Sequence, residues 1–169
     1  MLRVDSLAGT HAVATAVARL ARTGDIIVLA GEMGAGKTAF AQGFGRALGI
    51  TDPITSPTFT LVHSYPFDRG RTLHHADLYR LDSTGDVDDL ALGELAEFGG
   101  IVLVEWGDVV GGLGEHLEIR LNVPDDTDEA SDDDDHDELN AREIEIAAVG
   151  KRWAGRWERL AEALAEHRV

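Results

Sequence analysis

Residues 25 to 48 decide the fold: Asp25-Ile-Ile-Val-Leu-Ala30, then Gly31-Glu32-Met33-Gly34-Ala35-Gly36-Lys37-Thr38, then Ala39-Phe-Ala-Gln-Gly-Phe-Gly-Arg-Ala-Leu48. An apolar run, a Gly-rich turn and apolar residues at helical spacing form the strand, loop and helix of a phosphate-binding P-loop. Phe40, Phe44 and Leu48 recur at i, i+4 and i+8, which gives the helix one face for the sheet, and Gly49 supplies a left-handed stop. The loop glycines let the backbone approach a polyphosphate, and the amides of residues 34 to 38, at the positive end of the helix dipole, are expected to point at it. Gly31, Glu32, Met33, Gly34, Ala35, Gly36, Lys37 and Thr38 are thus the expected nucleotide-binding residues. Lys37 is expected to reach the β and γ phosphates and the Thr38 hydroxyl to ligate Mg²⁺.

Working outward, 169 residues with 44% hydrophobic content suit a single α/β domain spanning residues 1 to 169. The chain has no cysteine, so disulfides and thiolate chemistry are excluded. No apolar stretch approaches the length of a membrane span, and the expectation is a cytoplasmic protein. The net charge of −16 is mostly local: ten acidic residues fall between Asp125 and Glu138, and the rest of the chain carries only about −6. Two lysines and no basic cluster beyond Lys151-Arg152 argue against nucleic-acid binding by this surface, so any RNA role would pass through a partner.

On the N-terminal side, Leu2 to Val4 reads as a short strand, and Thr10 as the cap of a helix that turns Val13, Val17, Leu20 and Ala21 to one face. On the C-terminal side, residues 50 to 65 form a turn-rich entry into a strand, Phe67-Asp-Arg-Gly70 a turn, and Arg71 to His75 a returning strand; this hairpin makes the sheet mixed. Asp86 to Ala96 is expected to be a short helix. Leu117 to Val123 and Arg142 to Ala148 alternate apolar and polar residues and are expected to pair antiparallel. Their connector, with its acidic loop at about 125–138, is self-repelling and poor in apolar anchors, and is expected to be disordered rather than a calcium site, since it lacks the EF-hand glycine and glutamate spacing. In Lys151 to His167, Trp153, Trp157, Leu160 and Leu164 read as a packing stripe.

Ile101-Val-Leu-Val104 followed by Glu105-Trp106 reads as a buried strand whose carboxylate ends beside the P-loop, the Walker B position. Glu105 there, where Asp is commoner, could serve the metal or position the attacking water. His74, His75 and Asp77 invite a metal reading, but strand alternation sends His75 and Asp77 to one face and His74 to the other. Asp77 is the member placed to approach the Mg²⁺ and γ-phosphate region.

Gly31 to Thr38, Ser56-Pro57-Thr58-Phe59-Thr-Leu-Val62, His75-Ala-Asp77-Leu-Tyr79-Arg80 and Val104-Glu105-Trp106 stand in the order and spacing of a known family. The chain resembles the small bacterial P-loop ATPases of tRNA threonylcarbamoyladenosine biosynthesis, firmly over residues 5 to 123 and more loosely through Arg142. The resemblance implies an α/β, P-loop NTPase-like three-layer fold with a mixed parallel and antiparallel sheet. It also implies an ATPase that uses ATP and Mg²⁺, binds a two-protein partner complex, and drives turnover of the modification at tRNA position 37, with tRNA engaged only indirectly. The family's magnesium ligands map to Thr38 and Glu105, and its activity-requiring Asp to Asp77. Its switch segment maps to Ser56 to Phe59, which makes Thr58 a candidate catalytic residue with Lys37, Asp77 and Glu105. Its nucleotide-contacting Arg maps to Arg142. Two departures stand out: Gly107 replaces the proline common after Trp, which is expected to loosen the strand exit, and the acidic insertion precedes Arg142.

A GTP switch would need an Asn-Lys-x-Asp segment, and neither Asn122 nor Asn140 is followed by lysine. A P-loop small-molecule kinase is the alternative, but it should add an Arg-rich lid that this sequence lacks.

Overall fold

Buried on both faces, the run Ile26–Ala30 becomes the central strand of a seven-stranded sheet, because only a strand flanked on either side by others can use five consecutive apolar residues. The computed structural model describes residues 1–57, 61–79, 81, 91–108, 112–124 and 141–169. Thr58, Phe59, Arg80, the start of the helix expected from Asp86, and the acidic stretch from Asp125 to Glu138 lie outside the described residues.

In chain order the elements are β1 (Leu2–Val4), α1 (Leu7–Leu20), β2 (Ile26–Ala30), α2 (Lys37–Ala47), β3 (Val62–Phe67), β4 (Arg71–Asp77), α3 (Leu92–Glu97), β5 (Gly100–Glu105), β6 (His116–Asn122), β7 (Arg142–Val149) and α4 (Trp157–Ala163). The sheet order is β1-β7-β6-β2-β5-β4-β3. β6, β2, β5 and β4 run parallel, β3 at one edge and β7 on the other side run opposite to them, and edge strand β1, paired antiparallel with β7, runs with the parallel set. The sheet is therefore mixed and the fold α/β. The antiparallel pairing of β6 with β7 also matches the alternation read in the sequence.

Alternation along β2 divides the core. Ile27 and Leu29 join Phe40, Phe44, Val13 and Val17 on the face covered by α1 and α2. Ile26 and Val28 join Val102, Val104, Leu92 and Ala96 on the other. Phe40 and Phe44 are fully buried, each contributing about 1.5–3 kcal/mol by removing apolar surface from water. Helix α2 stops where the sequence says: Gly49, with φ +86°, places its N–H on the Arg46 carbonyl and the Ile50 N–H on the Gly45 carbonyl, the paired bonds of a Schellman motif.

Three expectations are corrected. Ser6, not Thr10, caps α1: its hydroxyl accepts from the Gly9 N–H at 3.1 Å, while Thr10 is buried inside the helix. Gly107 sits in a tight contact rather than a loosened exit, for a Cβ there would lie 2.9 Å from the Leu113 side chain and 3.0 Å from that of Val28, and a larger residue would need those side chains to shift. The C-terminal stripe buries Trp153, Leu160 and Leu164 but leaves Trp157 39% exposed. Its first turn, Ala154–Arg156, is a 3₁₀ helix, in which i and i+3 eclipse, so Arg156 rather than Trp157 lies beneath Trp153, with its guanidinium 4.0 Å from the ring centroid.

Arg156 also closes the far end of the sheet. It donates twice to Asp25, at 2.6 and 2.9 Å, and to the carbonyls of Leu20 and Arg152, with both members of the pair buried. Periodicity gives no sign of this pair, since each residue reads alone as a surface charge.

Candidate functional site

At the other end of β2 the chain turns through Gly31 into α2. Gly31 adopts φ +127°, and a Cβ on it would fall on the Leu121 carbonyl oxygen of β6, so the loop can leave the sheet only through glycine. Helix α2 begins at Lys37 with Gly36 as its cap residue, so its first N–H groups have no side-chain cap. Such a terminus carries unsatisfied donors and the positive end of the dipole, which suits an anion.

Beside this terminus lies a cavity of about 310 Å³ lined by Met33, Gly34, Gly36, Lys37, Thr38, Ala39, Ser56, Asp77, Tyr79, Glu105 and Trp106. The sheet register assembles it. Leu29, the penultimate residue of β2, pairs with Glu105, and Glu105 pairs with Asp77, so three adjacent parallel strands end their carboxyl edges on one line. In open α/β sheets that edge is where ligands bind.

Lys37 is buried, and its Nζ donates to the carbonyl oxygens of Gly31 at 2.8 Å and Glu32 at 2.7 Å while lying 3.9 Å from the Trp106 ring centroid. Burial pushes its pKa below the usual lysine value, and the carboxylates of Glu105, Asp108 and Asp77 pull the other way. The Thr38 hydroxyl donates to Glu105 Oε1 at 3.1 Å. Asp77 accepts from the Ser56 hydroxyl on Oδ2 at 2.6 Å and from the Tyr79 N–H on Oδ1 at 2.9 Å, which ties the segment after α2 to the end of β4. Trp106 takes φ +64°, a left-handed conformation held by its N–H bond to the Leu29 carbonyl at 3.0 Å, and its ring meets Tyr79 at 5.0 Å between centroids.

The predicted residues therefore converge to different degrees. Gly34, Gly36, Lys37, Thr38, Asp77 and Glu105 line one cavity, and Met33, 72% exposed, stands at its rim. Gly31 and Glu32 turn their carbonyls to Lys37. Arg142, at the start of β7, is not among the cavity-lining residues. It holds the loop from behind, with Nε donating to the Ala35 carbonyl at 2.9 Å and a terminal nitrogen reaching the Gly34 carbonyl at 3.5 Å. Thr58 falls outside the described residues.

Sequence reasoning assigns His75 no role, and the structure gives it one. It is fully buried and its Nε2 lies 2.9 Å from Glu105 Oε1, the same oxygen that Thr38 contacts. The signal that could find it is the strand face His75 shares with Asp77, which argues against a three-ligand metal site but equally aims the imidazole along the line of the acids. His74, on the opposite face, pairs with the Ser64 hydroxyl at 2.8 Å.

Thr38 Oγ1 and the Glu105 carboxylate are hard oxygen donors within one cavity, a set that suits Mg²⁺ far better than zinc or copper. Lys37 and the uncapped N–H groups at the start of α2 suit the phosphates that would share it.

A family model described as threonylcarbamoyl adenosine biosynthesis protein TsaE matches residues 4–132. The chain is 38% identical over 158 residues to the tRNA threonylcarbamoyladenosine biosynthesis protein TsaE of Bacillus subtilis, covering 94% of this chain and 89% of that protein. The Streptomyces coelicolor protein of the same name is 37% identical over 140 residues, covering 82% and 89%. In three dimensions the chain is similar to the crystal structure of Bacillus subtilis YdiB, with a TM-score of 0.66 at 33% identity over 98% of this chain and 93% of the other.

Proposed function

The chain belongs to the family of threonylcarbamoyl adenosine biosynthesis protein TsaE, and from that membership we propose that it is a Mg²⁺-dependent ATPase whose binding and hydrolysis of ATP support the protein complex that makes threonylcarbamoyladenosine at tRNA position 37. The observation that carries this reading is the meeting of Thr38 and Glu105 at 3.1 Å in the cavity that Lys37 and Asp77 also line. Loop, cation, hydroxyl and two carboxylates from three adjacent strands are the parts phosphoryl transfer to water requires.

Phosphate oxygens would compete with the Gly31 and Glu32 carbonyls for Lys37, whose ammonium then moves from its own loop to the triphosphate. The loop amides and Lys37 stabilise the charge that spreads over the transferring group. Thr38 and Glu105 would hold Mg²⁺, which supplies charge neutralisation on the β and γ phosphates. Asp77 or Glu105 orients the attacking water, both facing the cavity. Ser56, bonded to Asp77, links this acid to the segment that leads to Thr58. No arginine lines the cavity among the described residues, so turnover by the protein alone is expected to be slow, with the partner complex ordering that segment or adding charge. With only two lysines the chain leaves tRNA contact to its partners. No helix among the described residues is long and apolar enough to cross a membrane, and the cytoplasm is the proposed compartment.

The test is ATP turnover by the purified chain, with and without the partner proteins and tRNA, and with a panel of small phosphate acceptors in parallel. Stimulation by the partners, lost in Glu105→Gln with nucleotide binding kept, is the expected result. Turnover that instead requires a small acceptor would make the chain a P-loop kinase.

A further inference from the structure

His75 is fully buried on β4, between Leu73 and Asp77 on the same strand face and paired across the sheet with Leu103. An aliphatic side chain would be the ordinary choice there, as at Leu73, which is likewise fully buried. The imidazole instead spends its hydrogen bond on Glu105 Oε1 at 2.9 Å, and its Nδ1 is buried with no partner among the described residues. Oε1 also accepts from Thr38, so it behaves as an acceptor, and a bare Nε2 facing it would set two lone pairs against each other. Nε2 is therefore a donor to Oε1, and Nδ1 is left without a partner among the described residues, in an apolar layer. A residue there for packing alone would have no reason to bring that polar atom in.

We propose that His75 is a positioning residue for the proposed ATPase site: by donating from Nε2 to Glu105 Oε1, beside the Thr38 hydroxyl, it fixes the carboxylate so that its second oxygen faces the cavity. Two donors on one oxygen set the rotation of the group about its terminal torsion, which is otherwise broad. Oε2 is then the oxygen left to meet the metal or a water. The arrangement follows the general pattern in which a ligating carboxylate is itself held by hydrogen bonds from behind, and loss of such a partner typically costs 10- to 100-fold. This inference rests on the reading of Glu105 given above.

The experiment compares wild type, His75→Leu, His75→Gln and Glu105→Gln, each first checked for folding by thermal melting. His75→Leu removes the donor and keeps apolar volume, while His75→Gln restores an N–H near the position of Nε2. Steady-state ATP turnover with the partner proteins should show kcat lowered about 10- to 100-fold in His75→Leu, and recovered in large part by His75→Gln. Affinity for a fluorescent ATP analogue, measured with and without Mg²⁺, should be unchanged without the ion and lose its Mg²⁺-dependent gain in His75→Leu. Nitrogen-15 NMR of the wild-type protein should show the Nε2–H tautomer for His75, a measurement that needs no variant to fold. Wild-type turnover and Mg²⁺ response in His75→Leu, equal impairment of the Leu and Gln variants, or an Nδ1–H tautomer would each overturn the assignment. Absence of turnover in the wild type with its partners would overturn the ATPase reading instead, and the tautomer and Mg²⁺ measurements would still decide the role of His75.

Discussion

Ser56 and Asp77 meet across 2.6 Å, hydroxyl to carboxylate, although 21 positions separate them in the chain. Gln42 on α2 donates to the Ile54 carbonyl at 3.1 Å, so the segment carrying Ser56 is tied at one end to the P-loop helix and at the other to the last residue of β4. Asp77 thus holds a strap as well as facing the cavity. Asp77→Asn is expected to lower kcat on the order of 10²-fold with little change in nucleotide affinity, and Ser56→Ala to lower it less, because the carboxylate survives. Single-turnover hydrolysis and equilibrium binding of the two variants check this; wild-type hydrolysis in Asp77→Asn would return it to a purely structural role.

Arg142 and Lys37 should separate cleanly. Lys37→Ala removes the cation proposed to engage phosphate and should weaken ATP binding by about 10- to 100-fold, the worth of one charged hydrogen bond. Arg142→Ala removes bonds to the Ala35 and Gly34 carbonyls and should loosen the loop. Its loss of affinity should therefore appear equally for ADP and ATP, whereas Lys37→Ala should penalise ATP more. Calorimetric titration with both nucleotides distinguishes the two.

His11 and His74 predict the pH dependence of stability. Burial lowers the pKa of both, and for His11 the nearby Arg46 charge lowers it further. Between these depressed values and the ordinary 6.5, the unfolded chain binds more protons than the folded one. Stability should therefore fall as pH drops through that window and level off below it. Melting temperatures from about pH 7.5 to 5 should show this slope, made shallower by His11→Gln and by His74→Gln.

Arg156→Met should destabilise the protein by about 3–5 kcal/mol, since it strands the buried Asp25 carboxylate, and lower the melting temperature by roughly 6–20 °C. Nucleotide affinity should stay at the wild-type value, because Asp25 precedes β2 and the P-loop follows it. Thermal melts and a binding isotherm on the same preparation test both halves.

Much of the fold and of the candidate site is legible in the sequence alone. The central strand, P-loop and α2 follow from a continuous apolar run, a glycine spacing and a 3.6-residue period, each a local signal. The placement of Glu105 beside the loop also follows, because a four-residue apolar run ending in a carboxylate has few other readings. Local signals fail where the determinant is tertiary. Thr10 resembles a cap, but Ser6 reaches the Gly9 N–H first. Trp157 fits an α-helical stripe, and only the 3₁₀ turn before it reveals that Arg156 takes its place. His75 becomes meaningful only once β4 and β5 are set in register and its ring comes against Glu105.

The order of strands has a consequence for synthesis. β2, near the start of the chain, pairs with β5 and β6, whose partner residues run from Val102 to Arg120, and β1 pairs with β7 at Arg142 to Ile144. A nascent chain that has emerged through the P-loop holds the whole glycine-rich loop and Lys37 yet has no neighbour for the strand that carries them. Emergence of β5 then supplies one wall and Glu105, while β1 waits for β7. Parallel pairing over such separations is slow and leaves apolar strand surface uncovered in the interval. Premature termination before β6 should therefore yield fragments that aggregate rather than small nucleotide-binding domains, so that nucleotide capture is reserved for chains translated at least through β6.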